Sequence, residues 1–206
     1  MQKSFISIKT GPKDLIKIFI EPKKKENQPN FIGNEKNQFE KLTIEKRKQE
    51  FLQVRVIRDQ IADGCEIIYN EDGKPYLKDN SQFISISHSE NFIGLACAPF
   101  NIGLDIEEIS ERVHKIKNRF LNENEIKIFG EDTISLTELW TIKEALFKMN
   151  NRKGIDFRKE LHIIEKVNDI YSCQMLEEDG WHSVRIKVQQ KENLIFSYNF
   201  EPSILL

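Results

Sequence analysis

Apolar and polar positions alternate most cleanly in residues 100–110, FNIGLDIEEIS, where Ile102, Leu104 and Ile106 interleave with Gly103, Asp105 and Glu107. A period of two marks a half-buried strand. It sets two carboxylates on one face, where like charges repel unless something positive lies between them. Shorter runs predict further strands: LIKIFI (15–20), CEIIYN, FISIS and FIGLACA before this one, and IYSCQML, WHSVRIKV and LIFSYNF after it. The stretches EDGKPY and EEDG read as turns. From Thr43 the spacing changes: Phe51, Val54, Ile57 and Ile61 recur at helical intervals, and residues 62–64 end that helix. ERVHKIKNRF is a second expected helix. Asn122 with Glu125 forms a capping pair that opens a short third one through Ile128. Leu136, Leu139, Ile142, Leu146 and Met149 form the stripe of a fourth. Each half of the chain thus offers helices and a small sheet without regular βαβ alternation, which is α+β, and a loose duplication of the halves is compatible with this order.

Composition narrows the classes. The 206 residues suit one domain or two small ones, and 31 basic against 33 acidic side chains give a formal charge of −2. That balance excludes a chain-wide nucleic-acid binder and leaves local patches to do any electrostatic recognition. No apolar run approaches the ~20 residues needed to cross a bilayer, and MQKSFISIKTGPK lacks the apolar core of a leader peptide. Cys65, Cys97 and Cys173 lie far apart without a C-x-x-C pair. This predicts reduced core thiols in a cytoplasmic protein. The KKK run at 23–25 reads as solvated loop.

The candidate chemistry gathers on two segments. In WTIKEALFK, Trp140, Glu144 and Lys148 are spaced by four and share a helix face roughly opposite the Ile142–Leu146 stripe. Alone, Glu144 and Lys148 read as a solvated ion pair worth a few tenths of a kcal/mol. Together with Asp105 and Glu107, however, Glu144 could complete three oxygen ligands for a hard divalent cation. Mg²⁺ takes few protein carboxylates and fills its octahedron with water and phosphate oxygens. Lys148 could then reach a metal-bound phosphate, and Gly103 leaves the carboxylate face open for a ligand. The spacing permits a metal-assisted phosphoryl-transfer site without demanding one.

IGLDIE, followed some thirty residues on by WTIKEALFK, resembles the paired signatures G-[IV]-D-[IVL]-E and W-x-x-K-E-A-x-x-K of the Sfp-type 4′-phosphopantetheinyl transferases, with Leu104 in place of the usual Ile or Val. GKPY (73–76), FISISHS (83–89) and NRFLNENE (118–125) resemble the other motifs of that family, in the same order. The likeness covers roughly residues 45–160. It implies transfer of the 4′-phosphopantetheine arm of coenzyme A to a serine of an apo acyl or peptidyl carrier protein, with release of adenosine 3′,5′-bisphosphate. It also implies two similar α+β halves about a pseudo-twofold axis, here 1–101 and 102–206, with coenzyme A in the cleft between them, and a monomer that needs neither nucleic acid nor membrane.

By the same resemblance Asp105, Glu107 and Glu144 match the Mg²⁺-site acids. Glu144 is also a candidate general base, and Lys148 matches the lysine on the pyrophosphate. Lys143 and Trp140 would orient their helix. His88 with Ser87, Lys74 with Pro75, and Arg47 and Arg55 match positions that hold the nucleotide end. The carrier is expected to present an acidic helix. Arg112, Lys115, Lys117 and Arg119, interleaved with Val113, Ile116 and Phe120, would form the edge that receives it. Two other readings share these residues: a module that binds coenzyme A or carrier without turnover, and a Mg²⁺-dependent nucleotide pyrophosphatase. No function attaches to KKKENQPNFIGNEKN.

Overall fold

The computed structural model describes residues 6–10, 15–25, 27–62 and 64–206. Part of the N-terminal stretch read for a leader lies outside these residues. The chain divides into two compact units, Met1–Phe100 and Asn101–Leu206. Among the described residues no helix is long and apolar enough to cross a membrane.

The first unit holds strands β1 (Ile6–Thr10) and β2 (Ile16–Pro22), helices α1 (Glu35–Glu40) and α2 (Glu45–Ile61), then β3 (Ile67–Tyr69), β4 (Pro75–Leu77), β5 (Phe83–His88) and β6 (Phe92–Ala98). The larger sheet runs β1-β2-β6-β5, antiparallel throughout, and β3 pairs with β4 as a separate ribbon. Ile16, Ile18 and Ile20 of β2 are buried while Lys17 and Phe19 between them are less so, the alternation expected of a strand with one core face. Val54, Ile57 and Ile61 of α2, one helical stripe, meet Ile67, Leu77, Ile84, Ile93 and Leu95 in the core.

The second unit begins with β7 (Leu104–Glu108), continues through α3 (Arg112–Phe120), α4 (Glu123–Phe129) and α5 (Thr133–Met149), and ends in β8 (Leu161–Val167), β9 (Ile170–Glu177), β10 (Gly180–Lys191), β11 (Leu194–Asn199) and β12 (Ile204–Leu205). Its sheet runs β7-β11-β10-β9-β8, with β12 added on β10. The Asn122–Glu125 pair makes a complete capping box at α4, and Asp132 caps α5 by accepting from the Ile134 and Ser135 amides. All five stripe residues of α5 are fully buried against the sheet.

The α+β expectation holds, and so do the four long or capped helices. The expected three C-terminal strands are five. In β8 the register slips between Ile163 and Glu165, which breaks the period-two pattern that would have revealed it. β4 grows out of the GKPY turn, and α1 is too short to show a helical period.

Gly103 fixes how closely α5 lies on β7. A Cβ there would sit 2.1 Å from the Ala145 carbonyl oxygen, a backbone atom that cannot swing aside. Gly103→Ala is expected to lower the urea midpoint by the equivalent of about 1–3 kcal/mol through overpacking. An unchanged midpoint would show that the helix does not depend on this contact.

Candidate functional site

The face of β7 that carries Gly103, Asp105 and Glu107 is turned to α5. The bare face of Gly103 therefore receives the helix backbone, which corrects the expectation that it leaves room for a ligand. Asp105 is buried and sits opposite Ser197 of β11, whose hydroxyl lies 2.6 Å from that of Thr141 on α5. Lys148, in the last turn of α5, donates to Asp105 Oδ1 at 2.7 Å and to the Leu104 carbonyl at 2.9 Å. This ammonium answers part of the repulsion that the sequence raised. Glu107 is held from two turns earlier on the helix, where Trp140 donates its indole N–H to Glu107 Oε1 at 3.0 Å. The indole is itself wedged between Phe120, edge on at 5.0 Å, and Phe157, stacked at 5.9 Å. Trp140 thus orients a site carboxylate directly, beyond the helix-orienting part its motif position suggested.

One lysine does not balance three acids. Burial, then the charge of Asp105, pushes Glu107 up to about 7, with the Trp140 bond and Lys148 working against the rise. Glu144 is pushed up to about 7 for the same two leading reasons, with Glu107 adding to them and Lys148 opposing. The strand acids and the helix acid therefore feel one another's charge. Among the described residues no group of three His, Cys, Asp or Glu side chains is arranged to hold a metal ion. The donor set is nonetheless of the right chemistry for a hard cation: all carboxylate oxygen, with excess negative charge that a dication would relieve.

Lys143, next to Glu144, points the opposite way. It is fully buried, pairs with Glu125 at 2.6 Å, and donates to the carbonyls of Phe157 and Leu161. It fastens α5 to α4 and β8. On α3, Val113 and Phe120 are buried in the core and Ile116 packs against it. Val113 and Phe120 therefore cannot line a docking edge, which corrects that expectation for these two residues. Arg112, Lys115 and Arg119 remain exposed, while Lys117 is paired with Glu131.

The first unit contains a cavity of about 780 Å³, within the range of small-molecule sites. Arg47, His88 and Pro75 line it. Arg47 donates to His88 Nε2 at 3.1 Å, which takes the neutral ring, and burial indeed lowers the His88 pKa. Both are gathered by Glu50, a residue the sequence did not flag. It pairs with Arg47 at 3.2 Å and with Lys23 at 2.8 Å, and Lys23 also donates to the Ser89 carbonyl. Burial opposes ionisation of Glu50, yet the Lys23 bond and its cationic neighbours hold it below the usual carboxylate range. So Lys23, read as solvated loop, is an anchor for the turn that carries His88. Ser87 is buried on β5 beside His88. Lys74 lies in a turn organised by Asn70, whose side-chain oxygen accepts from the Lys74 amide at 2.8 Å. Arg55 also borders the cavity, but as wall. It is fully buried, 3.4 Å from Glu35, and spread over the Phe51 ring at 3.5 Å.

A strand with paired acids, crossed by a helix that brings a glutamate and a lysine to them, makes a strongly charged, half-buried cluster. Residues 101–198 match the family described as the 4′-phosphopantetheinyl transferase superfamily. The chain is 40% identical over 84 residues to 4′-phosphopantetheinyl transferase gsp of Aneurinibacillus migulanus, covering 38% of this chain and 35% of that protein. To 4′-phosphopantetheinyl transferase psf-1 of Bacillus pumilus it is 26% identical over 157 residues, covering 72% of this chain and 63% of the relative. The chain thus spans less than two thirds of the length of either curated relative.

The raised carboxyls make stability pH-dependent with a definite sign. Glu107 and Glu144 ordinarily titrate near 4.5 and in the folded protein near 7. Between those values the native state holds protons that the unfolded chain has released. Their contribution therefore falls as pH rises from 4.5 towards 7 and stays low above it. Glu144→Gln should raise the urea midpoint more at pH 8 than at pH 5. An equal effect at both values would mean that Glu144 is not held high.

Proposed function

We propose that the chain is a 4′-phosphopantetheinyl transferase. It moves the 4′-phosphopantetheine arm of coenzyme A to the serine hydroxyl of an apo acyl or peptidyl carrier protein and releases adenosine 3′,5′-bisphosphate. The observation that carries this is Glu144, raised to about 7 and standing one turn from Lys148, which reaches Asp105 on the facing strand. A carboxylate poised near neutrality is matched to general-base work at physiological pH. The serine oxygen forms a new bond to the phosphorus that carries pantetheine. The bond from that phosphorus to the bridging oxygen breaks, and the bisphosphate leaves with the bridging oxygen. Glu144 takes the hydroxyl proton.

Asp105, Glu107 and Glu144 would hold Mg²⁺, which when bound supplies neutralisation of the pyrophosphate charge. The two duties of Glu144 pull apart, since a carboxylate bound to a dication is a poorer base. Lys148 contacts a pyrophosphate oxygen, at the cost of loosening its hold on Asp105. In the first unit the cavity takes the nucleotide end, with Arg47, His88, Ser87, Lys74 and Pro75 about its phosphate and base and Arg55 supporting the wall. The exposed Arg112, Lys115 and Arg119 steer an acidic carrier helix. The two units are copies of one α+β motif. The chain works as a monomer in the cytoplasm, without nucleic acid or membrane, a reading supported by its near-neutral charge and three free thiols.

The test is to incubate the protein with coenzyme A, Mg²⁺ and an apo carrier and to weigh the carrier. A phosphopantetheine increment that disappears on chelation, and in Asp105→Ala and Lys148→Ala proteins that still fold, is the expected result. Binding of coenzyme A or carrier without an increment would make it an idle module. Coenzyme A breakdown without carrier would make it a pyrophosphatase.

A further inference from the structure

The segment 30–42, NFIGNEKNQFEKL, builds one wall of the first unit's cavity, through Gln38 and Leu42. A helix as short as α1 has no stability of its own, so this wall is only as fixed as its anchors. Three of them act on its inner side. Glu35 is fully buried, and its carboxylate accepts from the Ile32 amide at 3.0 Å, from the Ile67 amide of β3 at 3.2 Å and from Arg58 of α2. Arg58 in turn donates to the Asn30 carbonyl at 2.8 Å, so one arginine grips the segment twice. Glu66 accepts from the Asn34 amide at 2.7 Å, an approach open only because Gly33 has no side chain: a Cβ there would lie 2.1 Å from the Glu66 carboxylate. Phe39 packs between Phe31 and Phe51, at 5.6 and 6.0 Å. Gln38 itself accepts from Arg55 Nη2 of α2 at 3.5 Å, so the segment is also held where it meets the cavity.

We propose that Glu35 is a positioning residue for the ligand of this cavity, fastening α1 to α2 and β3 so that Gln38 and Leu42 close one side of it. The inference rests on the reading of the cavity as the place of the coenzyme A nucleotide. Glu35 itself does not touch the ligand. Its loss leaves the buried Arg55 and Arg58 without their shared counter-charge and lets the wall move, so that binding must order it anew.

The experiment titrates coenzyme A into the full chain calorimetrically and follows transfer kinetics, for the parent protein, Glu35→Gln and Leu42→Ala, each checked for fold by circular dichroism. Glu35→Gln should weaken coenzyme A binding by about tenfold and Leu42→Ala by a few-fold, the cost of ordering a loosened wall. The KM for coenzyme A should rise with them, while kcat and the KM for carrier stay within about twofold, a split that general destabilisation would not produce. Parent-like binding by both variants would overturn the proposal and leave the cavity's assignment intact. Failure of the parent protein to bind coenzyme A would overturn the assignment and the proposal with it. Should Glu35→Gln not fold, Leu42→Ala decides alone: weakened binding with unchanged kcat supports the wall, and unchanged binding removes it.

Discussion

The contact between Lys148 and Asp105 joins the last turn of α5 to the edge strand β7, and the second unit's cluster of acids is gathered around it. Two conditions make it possible. Gly103 lets the helix backbone come down onto the strand, and the α5 stripe buries itself in the sheet deeply enough to hold the helix there. With the helix fixed, Trp140 reaches Glu107 and Glu144 is brought into the field of both strand acids. A single ammonium then faces three carboxylates in a half-buried setting. That imbalance would be a plain cost in a structural ion-pair network. It becomes useful if the protein must receive a dication, whose two positive charges offset the excess.

A second device recurs in both units. Glu35 near the start of α1 and Glu125 near the start of α4 each accept from the amide three residues earlier, at 3.0 and 2.9 Å. Each also accepts from a strand amide, of Ile67 or Ile163, at 3.2 and 2.9 Å. Each then binds a cation from the following long helix, Arg58 or Lys143. The first unit runs two strands, a short helix, a long helix and four strands, and the second runs a strand, two short helices, a long helix and five strands; in both, a short helix is locked to the long one that follows it by a buried, hydrogen-bonded acid. Satisfied networks of this kind rigidify what they touch, whereas a half-satisfied one would be worse than an apolar contact. In one unit the lock backs a cavity wall. In the other it holds the helix that carries Glu144.

Much of this was legible along the chain. The α5 stripe and the Asn122–Glu125 box are local patterns, and the structure contains both; β7 is a strand as expected, but Asp105 is buried along with Leu104 and Ile106, so it is not half-buried by alternation. The acids and Lys148 were visible because four-residue spacing on a helix and two-residue spacing on a strand set side chains on one face. What stayed hidden depends on distant partners. Glu35 lies in a polar stretch with no period, and its burial comes from arginines some twenty residues away on α2. Glu50 and Lys23 look like solvent charges until the fold pairs them and β5 brings His88 beside Glu50. Val113 and Phe120 looked available for a partner because spacing reveals a stripe but not what covers it. Gly103 was misread for the same reason, its open face being visible in the sequence and the helix that fills it not.

The account turns on Asp105, Glu107 and Glu144 behaving as one electrostatic unit that a cation completes. Side-chain carboxyl carbons of ¹³C-labelled glutamate report this directly by NMR as pH is varied with and without Mg²⁺. Two glutamates titrating near 7, which Glu107→Gln and Glu144→Gln assign, and which move down towards the ordinary range when Mg²⁺ is added, are the result expected here. Glutamates that all titrate in the ordinary range, unmoved by Mg²⁺, would contradict it.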